Sequence, residues 1–413
     1  MKETAGGVCA PQDFAAGGVR CGIKASAHKR DLALIYSGRP AKAAAVFTTN
    51  RVKAASVLVT REHLASGGIR AVIANSGNAN ACTGEAGLAA ARRMAAAAAE
   101  QISCSCQPVM PEQIAVASTG VIGVPLPVEK ILAGMDGLMQ SCAADPAGND
   151  AALEAIMTTD TRKKTLAVEI EIRGKPVRIG GMVKGAGMIH PNMATLLGIF
   201  TTDAAIKGPV LEACLAGAVH RSFNRLSIDG DTSTNDMVIL MANGAAENNP
   251  IREGTSEYDA FSAALETLCV RLTREMARDG EGASRLLTVT VDGADTENGA
   301  AALARSVVSS NLVKAAVSGA DANWGRVLCA LGYAGVSFNP ETVSVRFSGA
   351  DGEITVCENG GAVPFSEEAA RRVLSGPEVE IRIGIAGGGT GSAAAWGCDL
   401  TADYVKINGD YRT

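Results

Sequence analysis

Residues 184–204 read KGAGMIHPNMATLLGIFTTDA, and this stretch decides what kind of fold the chain can have. A threonine, Thr195, follows the small residue Ala194 in a glycine-punctuated run. From 179 to 202 the only formal charge is Lys184. A buried threonine hydroxyl is a poor nucleophile unless a base is supplied. If the Ala194–Thr195 bond is cut, the α-amino group of Thr195 sits beside its own hydroxyl. With an unperturbed pKa of about 7.7–8.0, that amine can act as the base. The bland alternative is a strand threonine whose hydroxyl bonds the backbone.

Outward from this stretch, short apolar runs bounded by Gly and Asn predict strands over 31–36, 69–74, 114–117, 165–172, 177–182, 195–201 and 237–242. Further strands are expected over 286–291, 342–347, 353–357 and 378–385. Apolar spacing near 3.6 residues predicts helices over 84–101, 127–139, 208–223, 258–278, 299–309, 324–331 and 366–374. Strands and helices mix without strict βαβ alternation. The pattern suits an α/β sandwich with mixed sheets better than a doubly wound parallel sheet. Residues 142–150 read as a surface connection, and a second break is expected near 278–283.

Composition narrows the function classes. A chain of 413 residues with net charge −5 can bury a large core, and its charge balance argues against nucleic acid or an anionic membrane as main partner. No apolar run reaches the ~18 residues of a membrane span. MKETAGGVCAPQDF carries an acid and lacks the apolar core of a secretory signal, so a cytoplasmic enzyme is expected. Eleven irregularly spaced cysteines point to reduced thiols rather than a disulfide framework. Cys104 and Cys106 form a lone CxC with no second pair, which is a poor zinc signature.

Several residues invite a chemical reading. Thr119 and Gly120, in STGVIG, follow an expected strand, where a sharp turn can aim a hydroxyl and a backbone N–H at one developing oxyanion. The plain reading is an ordinary turn. Lys184 is an isolated charge, although a lone lysine is normally solvated. Thr158, in MTTDT, could cap a helix. Glu281 sits between glycines in DGEGAS, where the backbone can approach a ligand closely, or it is a turn carboxylate. His190 precedes Pro191 close to Thr195 and reads as a positioning residue. GIAGGGTGS at 384–392 lacks the Gly-Lys-Ser/Thr ending of a phosphate loop and reads as a tight turn between strands. Asp229, Asp231 and Asp236, in DGDTSTND, lack the length of a calcium loop, so no metal is expected.

Taken together, these blocks resemble the ornithine acetyltransferase / glutamate N-acetyltransferase family of arginine biosynthesis. The resemblance runs in order through NSGNANACTG (75–84), STGVIG (118–123), MTTDT (157–161), the 184–204 stretch, DGDTSTND (229–236), DGEGAS (279–284), GADANWGRVL (319–328) and WGCDLTADYVKINGDYRT (396–413). It implies self-cleavage between Ala194 and Thr195, giving a chain of residues 1–194 and a chain of residues 195–413. These would pair as a heterotetramer of two α and two β chains. It implies Thr195 as nucleophile, Thr119 and Gly120 as oxyanion hole, and Thr158, Lys184, Thr195, Glu281, Asn408 and Thr413 as substrate contacts. The implied reaction moves acetyl from N²-acetylornithine to glutamate by a ping-pong route, with acetyl-CoA as a further donor and no cofactor. Two other readings stay open on the residues alone: an N-terminal-nucleophile amidase or aminopeptidase that passes its acyl group to water, and a non-catalytic nucleotide-binding protein using the 384–392 loop.

Overall fold

The structure is a computed structural model that describes residues 1–105, 108–190 and 196–410. Two sheets stack face to face. The larger runs Lys2–Thr4, Lys164–Ile172, Lys175–Lys184, Leu197–Thr202, Met237–Ala242, Lys42–Phe47 in spatial order. The smaller runs Phe14–Val19, Leu32–Ser37, Ala71–Asn78, Ile114–Val121. Both mix parallel and antiparallel pairs.

Side-chain alternation explains the layering. Along Ala71–Asn78, Val72 and Ala74 point into the space between the sheets, while Ala71 and Ile73 point the other way. Opposite Val72 and Ala74 stand Met182, Ile199, Ile239 and Met241 of the larger sheet. The outer face of the smaller sheet is covered by the alanine-rich helix Gly84–Ser105, through Ala91, Met94, Ala98 and Ile102. The outer face of the larger sheet is covered by Gly208–Arg221 and Ser256–Arg278. Thr255 caps the latter by accepting from the Tyr258 amide. The result is a four-layer sandwich of helices, sheet, sheet and helices, the α/β sandwich with mixed sheets that the pattern implied. The larger sheet takes strands from both sides, in sequence, of the expected chain break between 194 and 195.

A third sheet follows: Leu226–Ser227, Gly391–Cys398, Leu286–Ala294, Glu378–Ile385, Val343–Gly349, Gly352–Glu358, Gly361–Ala362. Its core is closed by the helices Glu297–Ser309, Asn311–Ser318, Trp324–Gly332 and Glu367–Leu374.

Some elements differ from expectation. Residues 142–150 are not a simple surface link, because Pro146–Ile156 is a helix. Asp145 caps it by accepting from the Gly148 amide at 2.9 Å, and it buries Ala152, Leu153 and Ile156. The expected helix 127–139 is two, Val128–Ala133 and Met135–Gln140, divided at Gly134. The 384–392 loop is not a tight turn between neighbours. The strands it joins flank Leu286–Ala294 on either side, so the loop crosses over that strand. Thr119 and Gly120 do not follow their strand but lie within Ile114–Val121. Among the described residues no helix is long and apolar enough to cross a membrane.

Candidate active site

One cleft of about 250 Å³ gathers Thr119, Gly120, Thr158, Lys184, Glu281 and Asn408 from five separate parts of the chain. Each arrives for a local reason. Ile114–Val121 runs parallel to Ala71–Asn78, and the register shifts at Gly77 and Asn78, near the ends of both strands. Gly120 has φ +130°, and a Cβ there would lie 2.5 Å from the Gly77 carbonyl carbon, so only glycine fits. Asn235 fixes the approach to this turn. Its side-chain amide donates to the carbonyls of Ser118 and Ala79, both at 2.7 Å.

Lys184 is the last residue of its strand and pairs in register with Leu197. The cation therefore sits beside the strand that begins two residues after Thr195. Lys184 is only 4 % exposed. Burial pulls its pKa down and Asp160, 4.0 Å away, pulls it back up. Asp160 is the hub of this region. It accepts from the amides of Thr158 and Gly185 at 3.0 and 2.7 Å, and from Lys164 Nζ at 2.7 Å. Burial works against its charge, but Lys184 and Lys164 together hold the carboxyl below the usual range. Lys164 is fully buried, and its other face meets Asp279 at 2.5 Å. Asp279 in turn accepts from Thr161 and Arg162. Lys24 borders the same cluster, donating to the carbonyls of Arg30 and Met157. Burial lowers its pKa to about 8.

Other parts of the lining are acidic and polar. The Glu281 amide donates to the Ala186 carbonyl at 2.8 Å, and its carboxylate receives the side-chain amide of Asn408 at 2.8 Å. Gly187 makes room for that carboxylate, since a Cβ there would lie 2.3 Å from Glu281 Oε2. Asn408 belongs to the C-terminal helix Ala402–Asp410, which docks tightly because Gly282, at φ +70°, leaves no room for a Cβ beneath Tyr404. Asp229 accepts from the amides of Met188 and Ile189 at 2.5 and 2.8 Å, and burial raises its pKa. Asp236 lies buried at the start of the strand Leu197–Thr202. One carboxylate oxygen accepts from the Leu196 amide at 3.0 Å, and the other has no partner among the described residues. Burial holds its carboxyl well above the usual range.

The cleft lining thus carries a buried ammonium, Lys184, and the carboxylates of Glu281, Asp229 and Asp231. Ser233, Thr234 and Asn235 add hydroxyls and an amide to the same lining. Such a surface is complementary to a small molecule bearing both a carboxylate and an ammonium. Ala194, Thr195 and Thr413 lie outside the described residues. Among the described residues no cluster of metal-binding side chains occurs. His190 lies apart, with its Nδ1 3.3 Å from Ser227 Oγ, and it lines a different cleft.

A family model for the ArgJ family matches residues 15–413. The chain belongs to the ArgJ family. Its relatives include the arginine biosynthesis bifunctional protein ArgJ of Symbiobacterium thermophilum, 51 % identical over 414 residues and the whole of both chains. The protein of that name from Caldanaerobacter subterraneus is 49 % identical over 98 % of each chain. In a crystal structure of arginine biosynthesis bifunctional protein ArgJ from Bacillus halodurans, one chain is 42 % identical over 51 % of this chain and 97 % of that chain, with a TM-score of 0.48.

In and around the cleft stand charged residues that the motifs do not single out. Asp160 lies inside the MTTDT block but drew no attention beside the threonines. Lys164 sits in ordinary charged sequence, and Asp279 opens the DGEGAS block, two residues before Glu281. Asp229 and Asp231 were weighed only as metal ligands, yet both line the cleft. One signal was available: Asp160 and Lys164 are four residues apart, a charge pair leading into an apolar strand.

Proposed function

We infer that this chain is the acetyltransferase of arginine biosynthesis that moves acetyl from N²-acetylornithine to glutamate, and that it also uses acetyl-CoA as donor. The observation that carries the reading is the convergence of Thr119, Gly120, Thr158, Lys184, Glu281 and Asn408 on one cleft beside the strand that begins just after Thr195. In the precursor, Thr195 Oγ attacks the Ala194 carbonyl carbon. The C–N bond breaks, the Thr195 nitrogen takes the proton, and water hydrolyses the resulting ester. The freed amine then serves as base for its own hydroxyl.

In turnover, Thr195 Oγ attacks the acetyl carbonyl of acetylornithine, and Thr119 and Gly120 face the oxyanion. Ornithine leaves with the proton, and the amine of glutamate takes the acetyl group from Thr195. Lys184 holds the carboxylate common to both substrates, and Glu281 faces the distal ammonium of ornithine. Asn408 and Thr413 complete the contacts. The enzyme works in the cytoplasm as a heterotetramer of two α and two β chains and needs no metal or organic cofactor.

The test uses purified protein with acetylornithine and glutamate. Wild type should migrate as two fragments, the second beginning Thr-Leu-Leu-Gly, and should carry one acetyl group on Thr195 when glutamate is withheld. Thr195→Ala should remain one inactive chain. An intact, fully active wild-type chain overturns the mechanism, and acetyl release to water at the same rate with or without glutamate overturns the acceptor.

A further inference from the structure

A second cleft, of about 340 Å³, has His190, Arg305, Ser306, Ser309 and Tyr333 as its polar lining. Arg305 and Ser309 lie one turn apart on the helix Glu297–Ser309, and His190 faces them from the segment that leads to residues 191–195. Donors outnumber acceptors here. Arg305 makes no hydrogen bond or ion pair with a described residue. The Ser309 hydroxyl is buried with no partner among them. His190 uses Nδ1 toward Ser227, which leaves Nε2 for the cleft. Only Ser306 is committed, donating to the Ala330 carbonyl at 2.6 Å.

Charge is unbalanced in the same direction. No acidic side chain lines the cleft among the described residues. Arg225 stands close enough to Arg305 to disfavour its charge, after burial itself. The one carboxylate at hand, Glu297, is held by Arg225 at 2.5 Å. Asp231 lies near enough to His190 to favour its charged form, but it lines the first cleft rather than this one. With Glu297 taken by Arg225, Arg305 is left as an uncompensated cation in a partly desolvated place, beside a buried hydroxyl that has no partner among the described residues. An oxyanion resolves both deficits. A phosphate group, with three acceptor oxygens and up to two charges, matches a guanidinium, an imidazole N–H and two hydroxyls.

The position of the cleft adds to its chemistry. Met188 and Asp229 line the first cleft; His190 and its partner Ser227 are each two residues away in sequence. Two residues span at most about 7 Å. A ligand with a flexible arm can therefore rest one end in each cleft. We propose that the second cleft binds a phosphate group, and that its closeness to the first along two chain segments makes the nucleotide end of an acyl-CoA donor the favoured source over free phosphate. This rests on the acetyl-CoA half of the function proposed above.

The experiment uses processed enzyme, wild type, Arg305→Ala and Ser309→Ala. Initial rates are taken with acetyl-CoA plus glutamate and with acetylornithine plus glutamate. Calorimetry follows binding of adenosine 3′,5′-bisphosphate and of inorganic phosphate. Arg305→Ala should raise the KM for acetyl-CoA about thirtyfold and abolish bisphosphate binding, leaving the acetylornithine reaction within about twofold of wild type. Ser309→Ala, which keeps the charge, should raise that KM by about fivefold, the worth of one hydrogen bond. Phosphate binding that depends on Arg305, with an unchanged KM for acetyl-CoA, keeps the anion site but overturns the acyl-donor source. Equal losses in both reactions, or no binding of either probe to wild type, overturn the site. If wild type makes no use of acetyl-CoA at all, the donor half of the proposed function fails, while the two binding probes still decide the cleft.

Discussion

Replacing Lys164 by methionine should weaken substrate binding although Lys164 does not line the cleft. Lys164 Nζ lies 2.7 Å from Asp160 and 2.5 Å from Asp279, with no solvent exposure. Lys184 lies 4.0 Å from the other oxygen of Asp160. Asp160 therefore spends most of its charge on Lys164, and Lys184 remains available for a substrate carboxylate. In Lys164→Met two buried carboxylates lose their shared cation, at a stability cost of about 3–5 kcal/mol. Asp160 is then free to close on Lys184. Shortening that pair from 4.0 Å to about 2.8 Å gains about 1.8 kcal/mol at an effective dielectric near 20. A substrate must win the lysine back, so KM for acetylornithine and for glutamate should each rise about twentyfold, at 1.4 kcal/mol per tenfold. Asp279→Asn loses stability too, but it returns Lys164 wholly to Asp160 and leaves Lys184 free, so KM should not rise. The assay is initial-rate kinetics on both processed variants well below their melting points, with urea unfolding in parallel. Equal KM rises in the two variants, or none in Lys164→Met, would show that the network supports the fold alone.

Thr119→Ala should lower turnover by about 10²–10³ with little change in KM, the worth of one oxyanion donor; a loss under about threefold would take Thr119 out of the site. Gly187→Ala should push the Glu281 carboxylate out of place, because the new Cβ would lie 2.3 Å from Oε2. The loss in kcat/KM should be larger for acetylornithine than for glutamate, and an equal loss would detach Glu281 from the distal ammonium. Lys24, with its pKa lowered to about 8 by burial, binds fewer protons in the folded chain than in the unfolded one between that value and about 10.4. Its contribution to stability therefore rises with pH across that window. The difference in urea midpoint between wild type and Lys24→Met should grow in favour of wild type from pH 7 to pH 9.5, and a flat difference would refute the burial argument.

The fold was legible where strands are apolar and β-branched. Met237–Ala242 and Glu378–Ile385 have the boundaries their sequence implies. Strands built of small residues were not legible. Phe14–Val19 reads FAAGGV, a poor strand by propensity, yet its glycines are dictated by packing: a Cβ on Gly18 would lie 2.1 Å from the Ala151 carbonyl oxygen. The same contact hid the helix Pro146–Ile156, since neither partner makes sense without the other. For the site, the residues in glycine-flanked motifs were visible one at a time, and the resemblance tied them together. The pairing of Lys164 with Asp279 was invisible, because a lysine and an aspartate 115 positions apart announce nothing until the fold buries both.

The strand Leu197–Thr202 lies between Lys175–Lys184 and Met237–Ala242, in the interior of the six-stranded sheet. In a processed enzyme, the N-terminal edge of one polypeptide would be laced by backbone hydrogen bonds to another polypeptide on one side and to its own chain on the other. The two pieces could not separate without tearing the sheet, so dissociation and unfolding would be one event. Cleavage would then change the molecularity of that event and leave its contacts intact. Melting would release two pieces from a pair of uncut Thr195→Ala chains but four from the processed assembly, so the melting temperature of the processed enzyme would rise more steeply with concentration.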